Sequence, residues 1–560
     1  MLKAEQLIAQ LDSARDSLDV GLSAAVEAES VFYAPAQPAA KASARSHLNN
    51  TLTFLANARV SQASKCPLEN REPIHDNPFY MFCLCHLHLG KLDLLENNVT
   101  SARVHFETAV KVFPYSSRAL LALGNSIRVL AKDSGMLDVV EQFLEKAIKC
   151  AKELQENVDV EHEEFMARQA EGKDDEEEDD SEDEEEDWTQ QESVTLEINA
   201  GLIDASNALI LLRIQLDRAA DAEPLLTEMN YKFRLASDVL AYKLPRKGPW
   251  RGDVPFVKAI DNALPPQALE YLQTAFHPMS VFWKQHFYCP DTPYFSYTHP
   301  LADIGDAPKS AIDQLILYVH GLASKLFPKV KQAKAAEWWT HCRTHNSGHQ
   351  LHFDSAHEGK SDKKRKRVGP IHPIVSCVIY LSEGAGGPTM VTNQRLGDPL
   401  ADRGWMVESV VNRLVVFDGS VLHGVIPGKG FHPDPDARRT SFMIAFWDHV
   451  DVKPSPENIP GSARPFPYTI SSDVYTWPSL HTVKSPALWP GPVPESLEHV
   501  IPSPLDRVWQ SVPDSEQPSS TSGKREQALE TQEILEEHLE LGYSKSELGL
   551  PNYNLVFQGF

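Results

Sequence analysis

From the start of the chain to about residue 165, apolar positions recur every three or four residues, the period of helices that bury one face. In SARVHFETAVKVF, Ala102, Phe106 and Ala109 share a face and Pro114 stops the helix; a second helix follows through Leu120, Leu121, Leu123 and Gly124. The unit VVEQFLEKAIKCAKE repeats the Phe and Ala placement about 37 residues later, Phe106 to Phe143 and Ala109 to Ala147. Such a period describes either stacked helical pairs or a plain helical bundle. Helical periodicity resumes in TLEINAGLIDASNALILLRIQLDRAADAEPLLTEM, so the region 1–245 reads as one helical domain with an insert at about 166–192, closed by the Pro/Gly-rich KLPRKGPWRGDVP at 243–255.

Beyond 255 the pattern changes to short runs of Val, Ile and aromatics between Gly, Pro and Asp, as in an antiparallel β-fold. Eight strands are expected: 338–345, 349–354, 374–381, 387–393, 405–411, 413–419, 421–427 and 439–447, with outer helices at 266–276 and 308–326. Eight short strands suit a double-stranded β-helix, or jelly roll. The fold class is therefore a multidomain α plus β chain, with a helical repeat domain before a β-domain at 255–450. A Pro-rich extension, 451–560, is expected to wrap the surface or stay disordered, with a short helix at about 525–541.

Composition narrows the function classes. A net charge of −25 argues against a protein that coats nucleic acid or anionic membrane. DDEEEDDSEDEEED at 174–187 supplies about half of that charge and reads either as a solvated loop or as a dock for a basic partner. Lys363-Lys-Arg-Lys-Arg367 has the opposite charge and reads as a nuclear signal, a clamp for an acidic substrate or a solvated loop. Seven cysteines without a C-x-x-C pair, and no apolar stretch near the roughly 18 residues that span a bilayer, lead to the expectation of an intracellular protein, cytoplasmic or nuclear, with no membrane partner.

The chemistry concentrates in the β-region. His352 and Asp354, two residues apart on a strand, point to one face, and His423 on a later strand can reach the same point. Two His and one carboxylate leave metal positions open, as non-haem Fe(II) requires. Arg439 and Ser441 share a face of the last strand, a guanidinium beside a hydroxyl suited to a dicarboxylate, and Tyr380 ends a strand from which its phenol is expected to join them. Arg438 competes with Arg439 for the anchoring role. His341, Arg343 and His345 alternate onto one strand face and read either as substrate contacts or as ordinary strand residues.

The series LHFD, CVIYLSEGAGGPT, RLVVFDGSVLHGV, RRTSFMIAFW resembles the 2-oxoglutarate/Fe(II)-dependent dioxygenases, nearest the prolyl 4-hydroxylase-like branch, over roughly 255–450. The helical pattern resembles tetratricopeptide repeats. The resemblance implies iron on His352, Asp354 and His423, and 2-oxoglutarate on Arg439 and Tyr380, with Ser441 beside them. It further implies O₂ as co-substrate, ascorbate as reductant, and hydroxylation of a protein or peptide side chain, for example proline, coupled to decarboxylation of 2-oxoglutarate to succinate. This chain carries His349 where prolyl hydroxylases often have tyrosine, and Ala445 where AlkB-type nucleic-acid demethylases have a further arginine. A small-molecule oxygenase, a nucleic-acid oxygenase or demethylase, and a scaffold with a silent β-domain are the remaining readings.

Overall fold

The structure is a computed structural model that describes residues 2–30, 37–73, 76–96, 98–170, 191–242, 254–286, 295–304, 308–356, 371–450, 452, 463–468, 477, 481, 492–513 and 555–559. The acidic run, the basic run 363–367 and the helix expected at 525–541 lie outside the described residues. The chain divides into two compact units, 1–212 and 213–560.

The first unit is helical: α1 Leu2–Ser30, α2 Gln37–Asn57, α3 Pro78–Leu95, α4 Val99–Val112, α5 Ser117–Leu130, α6 Ser134–Ala170 and α7, which runs Gln191–Gln215 across the division. Local sequence starts each of the middle helices. Asn77 caps α3 from its side chain with Pro78 at the first helical position, Asn98 caps α4, and Ser116 caps α5. Helices pack as hairpins, α1 on α2, α3 on α4 and α5 on α6. Gly90 of α3 lies against the Phe106 ring of α4, and Gly124 of α5 lies against Phe143 and Leu144 of α6. The second hairpin departs from the expected repeat in one respect. Phe143 is half-buried while Leu144 and Ala147 are fully buried, so the repeat advances by one more residue at the aromatic.

By length and composition α7 is apolar enough to cross a membrane, which corrects the expectation that no such stretch exists. In this unit it behaves as a core helix. Gly201 packs on Ala147 and Ala151, and buried Glu197 accepts hydrogen bonds from Tyr80, Ser116 and the Arg118 amide.

The second unit begins before residue 255, because β1 (Phe233–Leu235) pairs with strands far downstream. Its strands continue as β2 Val257–Asp261, β3 Tyr297–Pro300, β4 Ala335–Thr344, β5 His349–His352, β6 Val375–Tyr380, β7 Thr389–Arg395, β8 Gly404–Val407, β9 Leu414–Asp418, β10 Val421–Val425, β11 Arg438–Trp447, β12 Arg464–Pro465, β13 Glu498–Val500, β14 Ser503–Leu505, β15 Trp509–Ser511 and β16 Val556–Phe557. They form sheets in the orders β12-β3-β4-β11-β6-β9-β2-β13, β14-β8-β7-β10-β5 and β15-β1-β16. The two larger sheets share a core in which Val378, Val415 and Met443 of one meet Val391, Trp405 and Val421 of the other. Helices Pro266–Ala275 and Ala311–Leu326 lie at the two helical segments read from the sequence.

In the Pro-rich extension Trp477 and His481 are buried, and the described pieces include strands at sheet edges. Pro465 and Pro504 fit there, because an edge strand needs only half of its backbone donors.

Candidate metal centre and anion pocket

The site lies between the two larger sheets. Antiparallel pairing of β5 with β10 sets His352 directly opposite His423, with ring centroids 4.4 Å apart. Asp354 follows His352 by two residues and turns the same way. His352 Nε2 is 3.6 Å from Asp354 Oδ1, and His423 Nε2 is 3.7 Å from Asp354 Oδ2. One donor atom from each residue falls within 4.8 Å of the others.

The second hydrogen bond of each group orients it. His352 Nδ1 donates to the Gln350 carbonyl at 2.7 Å, and His423 Nδ1 donates to the Val421 carbonyl at 3.0 Å. A carbonyl can only accept, so both Nδ1 atoms carry the proton and both Nε2 lone pairs face the centre. Ser376 donates to Asp354 Oδ2 at 2.5 Å, and His372 donates to the Asp354 carbonyl at 2.7 Å.

Electrostatics follow the geometry. Burial opposes ionisation of Asp354, yet His423, His352 and the Ser376 hydroxyl hold it well below the usual carboxylate range. Burial outweighs the pull of Asp354 at His423 and lowers it to about 4. At His352 burial also lowers the pKa, but the hydrogen bond and charge of Asp354 win and raise it. In their neutral forms the two imidazoles converge with the carboxylate on unshared pairs, a donor set that fits Fe(II) and leaves a face open.

The far end of the same cavity carries the anion pocket. Alternation along β11 brings Arg439, Ser441 and Met443 to the cavity, and pairing with β4 places Arg439 opposite Arg343, Ser441 opposite His341 and Met443 opposite Trp339. Arg439 is 2 % exposed and Ser441 fully buried, yet Arg439 Nε and Ser441 Oγ have no hydrogen-bond partner. No carboxylate of the described residues faces Arg439, and burial pushes its pKa down. A guanidinium in this state lacks the anion that would offset its desolvation.

Arg438 does not share the pocket, because it donates to the Pro435 and Ala437 carbonyls in its own loop. Tyr380 corrects the sequence reading. Its hydroxyl donates to Thr389 Oγ1 at 2.7 Å, its ring lies 5.1 Å from the Arg439 guanidinium carbon, and the cavity is lined by Thr389 instead. Thr389 also accepts from Arg439 Nη2 at 3.1 Å. With both lone pairs engaged, its own hydrogen is left to donate. Thr389 was missed because only the pairing of β7 with the strand order reveals its place; the GGPT stretch that contains it was the available signal.

His341 lines the cavity, as does His349, which stacks on His352 at 4.4 Å with an interplanar angle of 24°. Arg343 reaches the Gly348 carbonyl, and His345 lies past the end of β4 and faces two loops rather than the cavity.

No protein-family model matches the chain, and no curated protein matches it. Among solved structures it is similar to a prolyl-4-hydroxylase of Pseudomonas putida, at 19 % identity and a TM-score of 0.24, over 35 % of this chain and 95 % of that one. HygX of Streptomyces hygroscopicus, solved with nickel, 2-oxoglutarate and hygromycin B, is 15 % identical with a TM-score of 0.22, over 40 % of this chain and 96 % of that one. AviO1 of Streptomyces viridochromogenes is 15 % identical with a TM-score of 0.23, over 36 % and 93 %. At such values the likeness carries none of the assignment, which rests on the side chains described above.

Proposed function

We propose that the second unit is a double-stranded β-helix oxygenase that uses Fe(II), 2-oxoglutarate and O₂ to hydroxylate a side chain of a protein or peptide. The strand order supports the fold: apart from the β7–β8 hairpin, β4 to β11 alternate along the chain between the orders β4-β11-β6-β9 and β5-β10-β7-β8 of two sheets. One observation carries the chemistry. A buried arginine with no carboxylate partner, Arg439, shares a cavity with two histidines and an aspartate whose free donor atoms converge.

In this reading His352, Asp354 and His423 hold the metal, while Arg439, Thr389 and Ser441 hold the distal carboxylate, with Tyr380 acting through Thr389. Bound Fe(II) and 2-oxoglutarate supply the oxidising chemistry, 2-oxoglutarate leaving as succinate and CO₂. The chain's own residues orient both and exclude water. The polypeptide substrate is inferred from the helical hairpins of the first unit, read as tetratricopeptide-like repeats that present a binding surface.

The test is succinate formation from 2-oxoglutarate with Fe(II) and ascorbate. Wild type turns over; His352→Ala loses at least two orders of magnitude and no longer binds Fe(II). A wild-type protein that binds neither Fe(II) nor 2-oxoglutarate would sink the proposal and leave the scaffold reading.

A further inference from the structure

One loop packs on the stem of Arg439 and another leads into the strand that carries it, and one imidazole is bonded to both. The first loop, 381–388, joins β6 to β7; the second, 426–437, joins β10 to β11. His345 Nδ1 accepts from the Gly386 amide at 3.1 Å, and His345 Nε2 donates to the Lys429 carbonyl at 3.1 Å. Its own carbonyl accepts from the Gly428 amide at 2.9 Å. The neutral ring therefore uses both nitrogens, one on each loop.

The loops also touch one another and are pinned from outside. The Ile426 amide donates to the Pro388 carbonyl, and Gly387 packs on the Ile426 carbonyl so closely that a side chain there has no room. Asn346 Nδ2 donates to the Gly430 carbonyl, Gln215 Nε2 to the Pro427 carbonyl, and the Lys429 amide to the Tyr242 hydroxyl.

What His345 holds is the wall behind the anion-binding side chain. Gly386 takes φ +77°, a conformation glycine adopts without cost, and a Cβ there would collide with Cδ of Arg439. The methylene stem of Arg439 is thus confined by the backbone that His345 fixes. At its tip the Arg439 guanidinium donates to Thr389 through Nη2.

We propose that His345 is a positioning residue for dicarboxylate binding: it clamps the 381–388 and 426–437 loops together and thereby sets the direction of the Arg439 guanidinium. It touches neither the metal ligands nor the reacting atoms, and the proposal rests on the 2-oxoglutarate reading of the pocket. A misdirected guanidinium loses a charge-assisted, forked contact that depends on angle. The metal triad, held by β5 and β10, is left as it was.

The experiment compares wild type with His345→Ala and His345→Gln in the full chain. Glutamine keeps one acceptor for Gly386 and one donor for Lys429. Iron affinity and 2-oxoglutarate affinity are measured separately by calorimetry under anaerobic conditions, followed by the KM and kcat for succinate formation. For His345→Ala we expect 2-oxoglutarate binding and KM to weaken about 10- to 100-fold, with Fe(II) affinity and kcat at saturation within about twofold. His345→Gln recovers most of the loss, and Gly386→Ala combined with His345→Ala is no worse than Gly386→Ala alone. The proposal is overturned if 2-oxoglutarate affinity is unchanged in His345→Ala, if iron affinity falls in parallel, if glutamine is as damaging as alanine, or if His345→Ala fails to fold. Failure of the oxygenase reading looks different, since wild type itself then binds no 2-oxoglutarate.

Discussion

At the scale of single residues, the pairs His352 with Asp354 and Arg439 with Ser441 were legible because each follows from a two-residue alternation along one stretch of chain. Partners across strands were not. Tyr380 was read as reaching the anion, but its proton goes to Thr389, a contact fixed by the packing of β6 against β7. This gives opposite expectations for two hydroxyl deletions. Thr389→Val keeps the shape but strands the Tyr380 hydroxyl and Arg439 Nη2, and removes the one hydrogen left to donate into the cavity. It should weaken 2-oxoglutarate binding about tenfold or more and cost about 1–3 kcal/mol of stability. Thr389→Ser restores most of the binding, whereas Tyr380→Phe changes affinity by less than about threefold, because phenylalanine keeps the ring beside the Arg439 guanidinium and Thr389 keeps its hydrogen to donate. Calorimetric titration of the three variants decides it, and a Tyr380→Phe loss larger than that of Thr389→Val would refute the arrangement.

At the scale of elements, hydrophobic period located the strands β4 to β11, yet it missed β2 and β3 and could not register one helix against the next. The Phe106/Ala109 face of α4 is buried as its spacing predicts, but in α6 the same role passes from Phe143 to Leu144. The C-terminal edge strands were invisible for a similar reason: two- or three-residue runs containing proline carry no period. Helix contacts separate two glycines that look alike in sequence. A Cβ on Gly90 would run into the Phe106 ring, so Gly90→Ala should overpack the α3/α4 hairpin and cost about 1–3 kcal/mol. At Gly124 the nearest atom, Phe143 Cβ, is 3.5 Å away, an ordinary contact. Gly124→Ala should gain up to about 1 kcal/mol from helix propensity. Urea unfolding followed by helical circular dichroism distinguishes the two, and equal effects would show that the hairpins are not packed as described.

At the scale of the whole molecule, the net charge of −25 said little about stability, because the response to acid depends on which groups are buried uncharged. In the helical unit, burial lowers His86 to about 4, with His105 adding to the effect, and it also lowers His88 and His105. In the second unit, burial lowers His299 despite its bond to Asp313, and His299 Nε2 is already occupied as the acceptor for Trp338. A histidine whose folded pKa is depressed binds a proton more readily once unfolded, so its contribution to stability is present above about pH 6.5 and declines as pH falls below that value. Glu197 has the opposite sign. Burial raises its pKa, so the folded form takes up the proton first and acidification favours folding there. Burial raises Asp204 as well, and two such groups can cancel at most two of the three histidines of the unit, each of which contributes up to about 1.4 kcal/mol per pH unit. The helical unit should therefore hold a steady Tm from pH 8 to about 7 and lose it progressively between 6.5 and 5. The second unit, where burial also lowers His341, His349 and His423, should lose stability over the same range and then fall more steeply below about 4, as Asp313, which His299, Tyr468 and backbone amides hold below the usual range against the effect of burial, becomes protonated. Thermal melts of the full chain, read by helical and aromatic circular dichroism at each pH, would contradict this if the helical signal melted at the same temperature at pH 5 as at pH 8.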